Sequence, residues 1–317
     1  MSRSGQSESD SPTQAYHVPV LLKECIDGLA IQEGEVYVDV TFGGGGHSQA
    51  IFEKLIQGKL YAFDQDPDAE KNADRFRSDA NRSFVFVAAN FRYLKKYLRL
   101  YREEKVDGIL ADLGVSSHQF DVGERGFSTR LEGQLDMRMD SAGQKTAEEV
   151  VNTYSESQLI HLFSYFGDIK NARTLAKSIL QARQLSPIRT TRQLAEIAEK
   201  VAPKGKQAKY LAQLFQAIRI EVNEEMEALK EMLVQAVEVL KPGGRLVVMS
   251  YHSLEDRLVK NLMNTGNLEG KVEKDFYDNL IRPLEPVHRK PIVPSEEEIS
   301  INSRARSAKL RIGIKKK

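Results

Sequence analysis

Val36-Tyr-Val-Asp-Val-Thr-Phe-Gly-Gly-Gly-Gly-His47 runs a β-branched strand directly into four consecutive glycines, after which the pattern turns helical. Glycine lets the turn after a first parallel strand take left-handed dihedrals and lets backbone N–H groups approach a ligand with no Cβ in the way. Leu60-Tyr-Ala-Phe-Asp64 reads as a second strand ending in an acid, at the spacing of about 20 residues from the glycines that suits a carboxylate receiving ribose hydroxyls. The segment therefore reads as the docking place of a nucleoside cofactor.

The glycine spacing separates two such cofactors. Dinucleotide binders carry G-x-G-x-x-G, whose third glycine permits close helix–strand packing, but Gly43-x-Gly45-x-x puts Ser48 in that slot. This disfavours a diphosphate cradle relative to S-adenosylmethionine, whose amino-acid end carries a carboxylate and an ammonium and no phosphate.

Outward from this stretch, strand-like segments follow at Lys59–Asp64, Ser83–Ala88 and Val106–Leu113, with helical spacing at Asp68–Phe76 and Tyr93–Arg102 between them. Such βαβ alternation predicts an α/β fold with a parallel sheet. From about Val122 to Gly205 no strand pattern appears. A Gly- and Arg-containing loop leads instead into helices marked by a Thr146/Glu149 capping box, a stop at Gly167 and boundaries at Pro187 and Pro203. This predicts an inserted all-helical subdomain over 122–205, between the two parts of a cofactor-binding domain, 16–121 and 206–317. Apolar residues from Leu211 to Leu240 predict one long helix, Lys209 to Leu240, ended by Pro242-Gly243-Gly244. Strands are then expected at Arg245–Tyr251 and Ala308–Ile314.

Composition bounds the class. The 317 residues suffice for one large or two ordinary domains, and 41% hydrophobic content is that of a globular chain. Residues 1–15 are polar and are expected to be disordered, with order beginning near His17. Cys25, the single cysteine, excludes an intramolecular disulfide and a cysteine-built zinc site, and its apolar neighbours predict burial. No apolar run approaches membrane-spanning length and no signal-peptide core follows Met1, so a cytoplasmic location is expected, with no membrane contact. The net charge is only +1, yet Lys204, Lys206 and Lys209, Arg289 and Lys290, and Arg304 to Lys317 form basic clusters that suit a polyanion. No His/Asp/Glu group has metal-ligand spacing.

Eight motifs in order carry a resemblance: His17-Val-Pro-Val-Leu-Leu-Lys-Glu24, Phe42-Gly-Gly-Gly-Gly-His-Ser48, Asp112-Leu-Gly-Val-Ser-Ser117, Arg125-Gly-Phe-Ser128, Leu135-Asp-Met-Arg-Met-Asp140, Phe215-Gln-Ala-Ile-Arg-Ile-Glu-Val-Asn223, His252-Ser-Leu-Glu-Asp-Arg257 and Arg306-Ser-Ala-Lys-Leu-Arg311. Over residues 16 to 314 the chain resembles the ribosomal RNA small-subunit methyltransferase H family. The resemblance implies a class I methyltransferase fold, a Rossmann-like, mostly parallel seven-stranded sheet with a helical insertion for substrate recognition. It also implies S-adenosylmethionine as cofactor and methylation of N4 of one cytidine in the decoding centre of bacterial 16S ribosomal RNA, within the small subunit and with no obligate protein partner evident. By the same resemblance Gly45, Gly46 and His47 form the cofactor loop, Asp64 holds the ribose, Phe91 flanks the adenine, and Asp112 and Gln119 are further cofactor contacts.

The residues themselves leave alternatives open. Phe91 reads equally as core, and Asp112 as a turn former or helix cap. Cytosine N4 is a poor nucleophile whose lone pair is delocalised into the ring, so the site needs an acceptor for its N–H. The chain lacks the Asp/Asn/Ser-Pro-Pro-aromatic tetrad of many amino-methyltransferases, leaving the Asp112–Ser117 loop, Ser116 included, as the candidate source and no assigned catalytic residue. Arg219 and Asn223, at i and i+4, share a face that either looks into the cleft or is solvated. Arg138, between Asp136 and Asp140, either orders an RNA path or ion-pairs within its loop. His252 either holds the base or its phosphate, or starts a helix whose capping box is Ser253 with Asp256, the latter spaced to pair with Lys260. Two competing functions stand beside the RNA methyltransferase: a nicotinamide-dependent oxidoreductase, which lacks its third glycine, and a non-catalytic ribosome-assembly factor.

Overall fold

In a computed structural model, residues 19–78, 81–115 and 122–317 are described. The tail expected at 1–15 and the candidates Ser116 and Gln119 lie outside these residues. Seven strands form one sheet: β1 (Val36–Asp39), β2 (Gly58–Asp64), β3 (Arg82–Ala88), β4 (Val106–Asp112), β5 (Leu240–Ser250), β6 (Leu284–Pro286) and β7 (Lys309–Lys315), in the order β3-β2-β1-β4-β5-β7-β6. The first five are parallel neighbours, and β7 pairs antiparallel with both β5 and β6. The chain winds outward from β1 to β3, then crosses back to β4 beside β1. That reversal leaves a crevice at the carboxyl ends of β1 and β4.

The sheet is buried on both faces, as its near-continuous apolar strands require. Successive β4 residues alternate between two cores: Ile109 and Ala111 pack with Leu94, Leu98, Leu229 and Leu233, whereas Leu110 packs with Cys25, Leu29 and Ile51. Helices α1 (Leu22–Leu29), α2 (Gly46–Lys54) and α3 (Pro67–Ala73) flank the first half of the sheet, together with α4 (Leu94–Leu100). Cys25 is fully buried, as expected.

Between β4 and β5 no described residue forms a sheet strand. Among the described residues six helices follow one another there, the first five being α5 (Ala147–Thr153), α6 (Glu156–Tyr165), α7 (Ala172–Leu185), α8 (Thr191–Glu199) and α9 (Gln207–Val222). Side chains start three of these five. The Thr146 hydroxyl accepts from the Glu149 amide, and Ser155 with Gln158 and Thr190 with Gln193 form reciprocal capping boxes. These helices bury their own core, built on Val150, Leu159, Phe163, Leu175, Ile179 and Leu214.

The single long helix expected through Leu240 is two: α9 ends at Val222, and α10 runs Glu225–Val239. Glu224 breaks the chain between them with a left-handed φ of 50°. The two halves serve different cores, Leu211, Leu214, Phe215, Ile218 and Val222 packing in the helical segment and Met226 to Val239, with Ile220, against the sheet. Pro242-Gly243-Gly244 does not end the second helix, because β5 has already begun at Leu240. The three residues lie instead where its register against β4 shifts between Val106 and Gly108. Helix α11 (Ser253–Thr265) follows β5, and α12 (Glu296–Ile301) precedes β7. The three-residue β6, too short for any pattern to announce, closes the sheet's edge. No helix among the described residues is long and apolar enough to cross a membrane.

Candidate active site

Four strand ends meet at the crevice. After β1, Gly43 and Gly45 take φ of 49° and 73°, and the Gly45 amide donates to the Phe42 carbonyl at 2.6 Å. A Cβ on Gly45 would lie 2.9 Å from the Phe42 ring and also strike Arg75, so the turn admits no side chain there; a Cβ on Gly44 would meet nothing within 4 Å. Asp64, at the end of β2, fastens the turn: Gly43 N–H donates to its Oδ2 at 2.7 Å and Asp66 N–H to its Oδ1 at 2.8 Å. Each oxygen retains a second lone pair. Burial pushes the Asp64 carboxyl up to about 6, against the pull of those two amides.

Ser48 explains its own departure from the dinucleotide pattern. Its hydroxyl donates to Asp39 Oδ2 at 2.7 Å, and Asp39, 1% exposed at the end of β1, also accepts from Thr41 N–H at 3.0 Å. A buried carboxylate beneath the glycine turn requires these partners, and sequence reading passed over it. Gly46 and His47 open α2. A Cβ on Gly46 would strike the Pro19 ring, and His47 is buried, its imidazole pushed down to about 4 by desolvation. Phe91 opens a single helical turn after β3 with its ring partly buried against the sheet core.

Asp112 ends β4 beside this turn. Its Oδ1 accepts from the Tyr251 hydroxyl at 2.9 Å, its amide donates to Thr41 Oγ1 at 2.7 Å, and its Oδ2 lies 3.5 Å from His47 Nδ1. That last contact is not an ion pair, because an imidazole titrating near 4 is neutral at pH 7. Burial lifts the Asp112 carboxyl to about 7, the Tyr251 hydroxyl lowers it, and Asp39 and Glu255 add to the rise. No cation among the described residues sits within ion-pair distance of this carboxylate once His47 is neutral.

Tyr251 and Glu255, unmarked in the sequence reading, continue the polar chain below β5. Glu255 Oε2 accepts from the Tyr251 and His252 amides at 2.9 and 3.3 Å, and its Oε1 lies 3.1 Å from His252 Nε2. Burial pushes the Glu255 carboxyl up, yet His252, the Tyr251 amide and Arg219 together hold it below its usual range. The capping arrangement of α11 is thus one residue earlier than Ser253 and Asp256: His252 is the N-cap and Glu255 its partner. Asp256 pairs with Arg311 and Lys309 of β7 at 2.7 and 3.3 Å, not with Lys260.

Three tentative substrate residues are engaged inside the fold. Arg219 makes two hydrogen bonds to Glu225 at 2.7 and 2.9 Å, with both side chains 12% exposed. Asn223 donates to the Met137 carbonyl at 2.8 Å and accepts from the Met139 amide at 2.7 Å, clasping that loop. Arg138 is held by both oxygens of Asp136 and by the Ser141 and Gly143 carbonyls, which favours its loop-fixing reading. Arg125 then ties the loop to the sheet: Nη1 donates to both Asp66 oxygens at 3.0 and 2.8 Å, and Nη2 to the Arg138 and Met139 carbonyls.

The groups that stand at these strand ends suit a nucleoside carrying an amino acid. Asp64 offers acceptors for a diol, Phe91 a flat ring, the glycine turn its unshielded backbone, and Asp112 an uncompensated carboxylate for an ammonium. Among the described residues, no group of three or more His, Cys, Asp or Glu side chains is arranged to hold a metal ion.

Comparison with known proteins agrees with this chemistry. The sequence model of the MraW methylase family matches residues 14–317. Proteins named ribosomal RNA small subunit methyltransferase H are similar at 55% identity in Amoebophilus asiaticus (96% of this chain, 97% of that one) and at 56% in Phocaeicola vulgatus (96% and 98%). A third, from Cytophaga hutchinsonii, is 55% identical over 94% of this chain and 98% of its own.

Proposed function

The chain belongs to the MraW methylase family, and from that membership we propose that it transfers a methyl group from S-adenosylmethionine to N4 of one cytidine in the decoding centre of bacterial 16S ribosomal RNA. The relatives' shared name supports ribosomal RNA of the small subunit as substrate, and the cytoplasm, where subunits mature, as the place of action. The observation that carries the reading is Asp112, a half-buried carboxylate at the sheet's switch point whose neighbours are a hydroxyl and a neutral imidazole.

Bound in this crevice, the cofactor supplies a methyl group already activated on a sulfonium. Asp64 would hold its ribose and Phe91 flank its base, Asp112 would face its ammonium, and Gly45, Gly46 and His47 would shape the turn beside it. What remains for the chain is positioning: bringing the amine lone pair in line with the methyl and excluding water, a contribution of roughly 7–11 kcal/mol to barrier lowering. The target base must leave its stack to arrive there. As the amine attacks, its proton needs an acceptor. We assign that role to the loop that begins at Asp112, through a side chain or a backbone carbonyl. Residues 122–205 we read as the substrate-recognition subdomain, anchored by the Arg125 and Asn223 clasps.

The test is direct. Purified protein, methyl-labelled S-adenosylmethionine and small subunits lacking the modification are incubated, and the digested RNA is examined by mass spectrometry. N4-methylcytidine at a single decoding-centre position is the expected product. Absence of label despite measured cofactor binding would point instead to a non-catalytic assembly role.

A further inference from the structure

The outer side of the helical segment carries groups the cofactor site does not use. A cavity of about 300 Å³ is lined by Tyr154, Ser157, Gln158, His161, Leu162 and Glu221, between α6 and the end of α9. Its lining is more apolar than polar, with a few hydrogen-bonding groups among it: Glu221 takes the Tyr154 hydroxyl at 2.5 Å and faces Lys145 Nζ at 3.3 Å. One turn along α6, Tyr165 is 51% exposed and stacks on His161, with ring centroids 5.3 Å and planes 10° apart. Phe166 abuts Tyr165 edge-on at 5.2 Å. A partly exposed ring fixed between neighbours is preorganised to stack a further flat group.

Past Tyr165 the surface turns positive. Asn171 Nδ2 donates to the Val201 carbonyl at 2.9 Å and its Oδ1 accepts from the Tyr210 hydroxyl at 2.9 Å, which draws three separate stretches together. Lys170, Arg173, Lys204, Lys206 and Lys209 thereby share one end of the segment, all exposed. Lys170, bonded to Asp168, and Lys209 nearby both hold the Asp168 carboxyl below its usual range. Along α9 the distance from Lys209 to Glu221 is about 18 Å at ~1.5 Å per residue. A largely apolar slot edged by hydrogen-bonding groups, a stacked aromatic pair and a run of cations along one such line match the pattern by which proteins hold single-stranded nucleic acid.

We propose that this face is a second RNA-binding surface, with an unpaired base in the Tyr154–Glu221 cavity, a neighbouring base stacked on Tyr165, and phosphates of the same strand on the five cations. The proposal rests on the RNA-methylating reading and adds where the strand beyond the target is gripped.

Fluorescence anisotropy of the full chain with a labelled single-stranded RNA of decoding-centre sequence, over a range of salt concentrations, tests it. Tyr165→Ala should weaken binding about tenfold with its salt dependence intact, and Tyr165→Phe should retain it. The triple change of Lys204, Lys206 and Lys209 to Ala should lower the slope of log K against log salt by about 2. Melting temperature and cofactor affinity should stay at wild-type values in every variant, since none touches that site. Equal RNA affinity across all variants, or a wild type that does not bind the RNA, would overturn the proposal. Variants that bind RNA normally yet lose turnover on intact subunits would also overturn it, assigning the face to a ribosomal protein. A wild type whose RNA binding follows these expectations but which never methylates would sink the enzymatic reading and leave this surface standing.

Discussion

The Tyr251 hydroxyl donates to Asp112 Oδ1 at 2.9 Å, tying together the ends of the neighbouring strands β4 and β5 beside the crevice. The bond favours the ionised carboxylate, so Tyr251→Phe should raise the Asp112 pKa above about 7. Cofactor affinity at neutral pH should fall several-fold and recover as pH is raised. Calorimetric titration between pH 6 and 9 checks it; an unaltered pH profile would dismiss the link.

Asp112 itself should reveal its proton. A carboxyl titrating near 7 is half protonated at pH 7, and an ammonium placed beside it would drive it to the ionised form, releasing about half a proton per cofactor bound. Titrations in buffers of different ionisation enthalpy measure this. Asp112→Asn should abolish the buffer dependence and weaken binding roughly tenfold or more, the worth of a charged hydrogen bond. The sign for stability follows: Asp64 and Asp112 both sit above their unfolded values. Their contribution is favourable below about pH 4 and is lost as pH climbs through 6 and 7.

The glycines separate fold from ligand. Gly45→Ala meets both a left-handed φ of 73° and the Phe42 ring at 2.9 Å, and should cost about 1–2 kcal/mol or more. Gly44→Ala meets open space and should melt like wild type. A loss of cofactor affinity in Gly44→Ala alone would locate the ligand over that backbone, whereas an equal loss of stability in both would refute the distinction.

Arg219→Ala should act through the fold. It leaves Glu225 buried without its partner and removes a cation that helps hold Glu255 ionised, at a cost of about 3–5 kcal/mol in urea unfolding. Asn223→Ala orphans the Met137 carbonyl and the Met139 amide and should cost about 1–3 kcal/mol. If either variant kept full stability but lost turnover, the residue would return to the list of direct substrate contacts.

Strand periodicity and the run of glycines made the parallel sheet and the Gly43–Gly45 turn legible in the sequence, and put Asp64 and Asp112 at strand ends, whereas the cofactor role of Asp112 came only with the family resemblance. The break at Glu224 was invisible for a physical reason. Val222 and Met226 are four residues apart, so the apolar stripe crosses the break without losing phase. The same break hid the Arg219–Glu225 pair: six apart, the two would diverge on a continuous helix, and only the left-handed residue between them turns one towards the other. Tyr251 carried no signal, because its partner is 139 residues away and a tyrosine at a strand end reads as core. Asp256 looked like a local helix pair, yet Arg311 reaches it from the neighbouring strand with less exposure than Lys260 would offer.

Arg125 spans Asp66, whose amide holds Asp64, and the carbonyls of Arg138 and Met139 in the helical segment. The acid read as the ribose anchor and the loop read as part of the substrate module thus hang on one guanidinium. Reciprocity then sets a rule for the whole molecule: by whatever factor RNA tightens the grip on the methyl donor, the donor must tighten the grip on RNA.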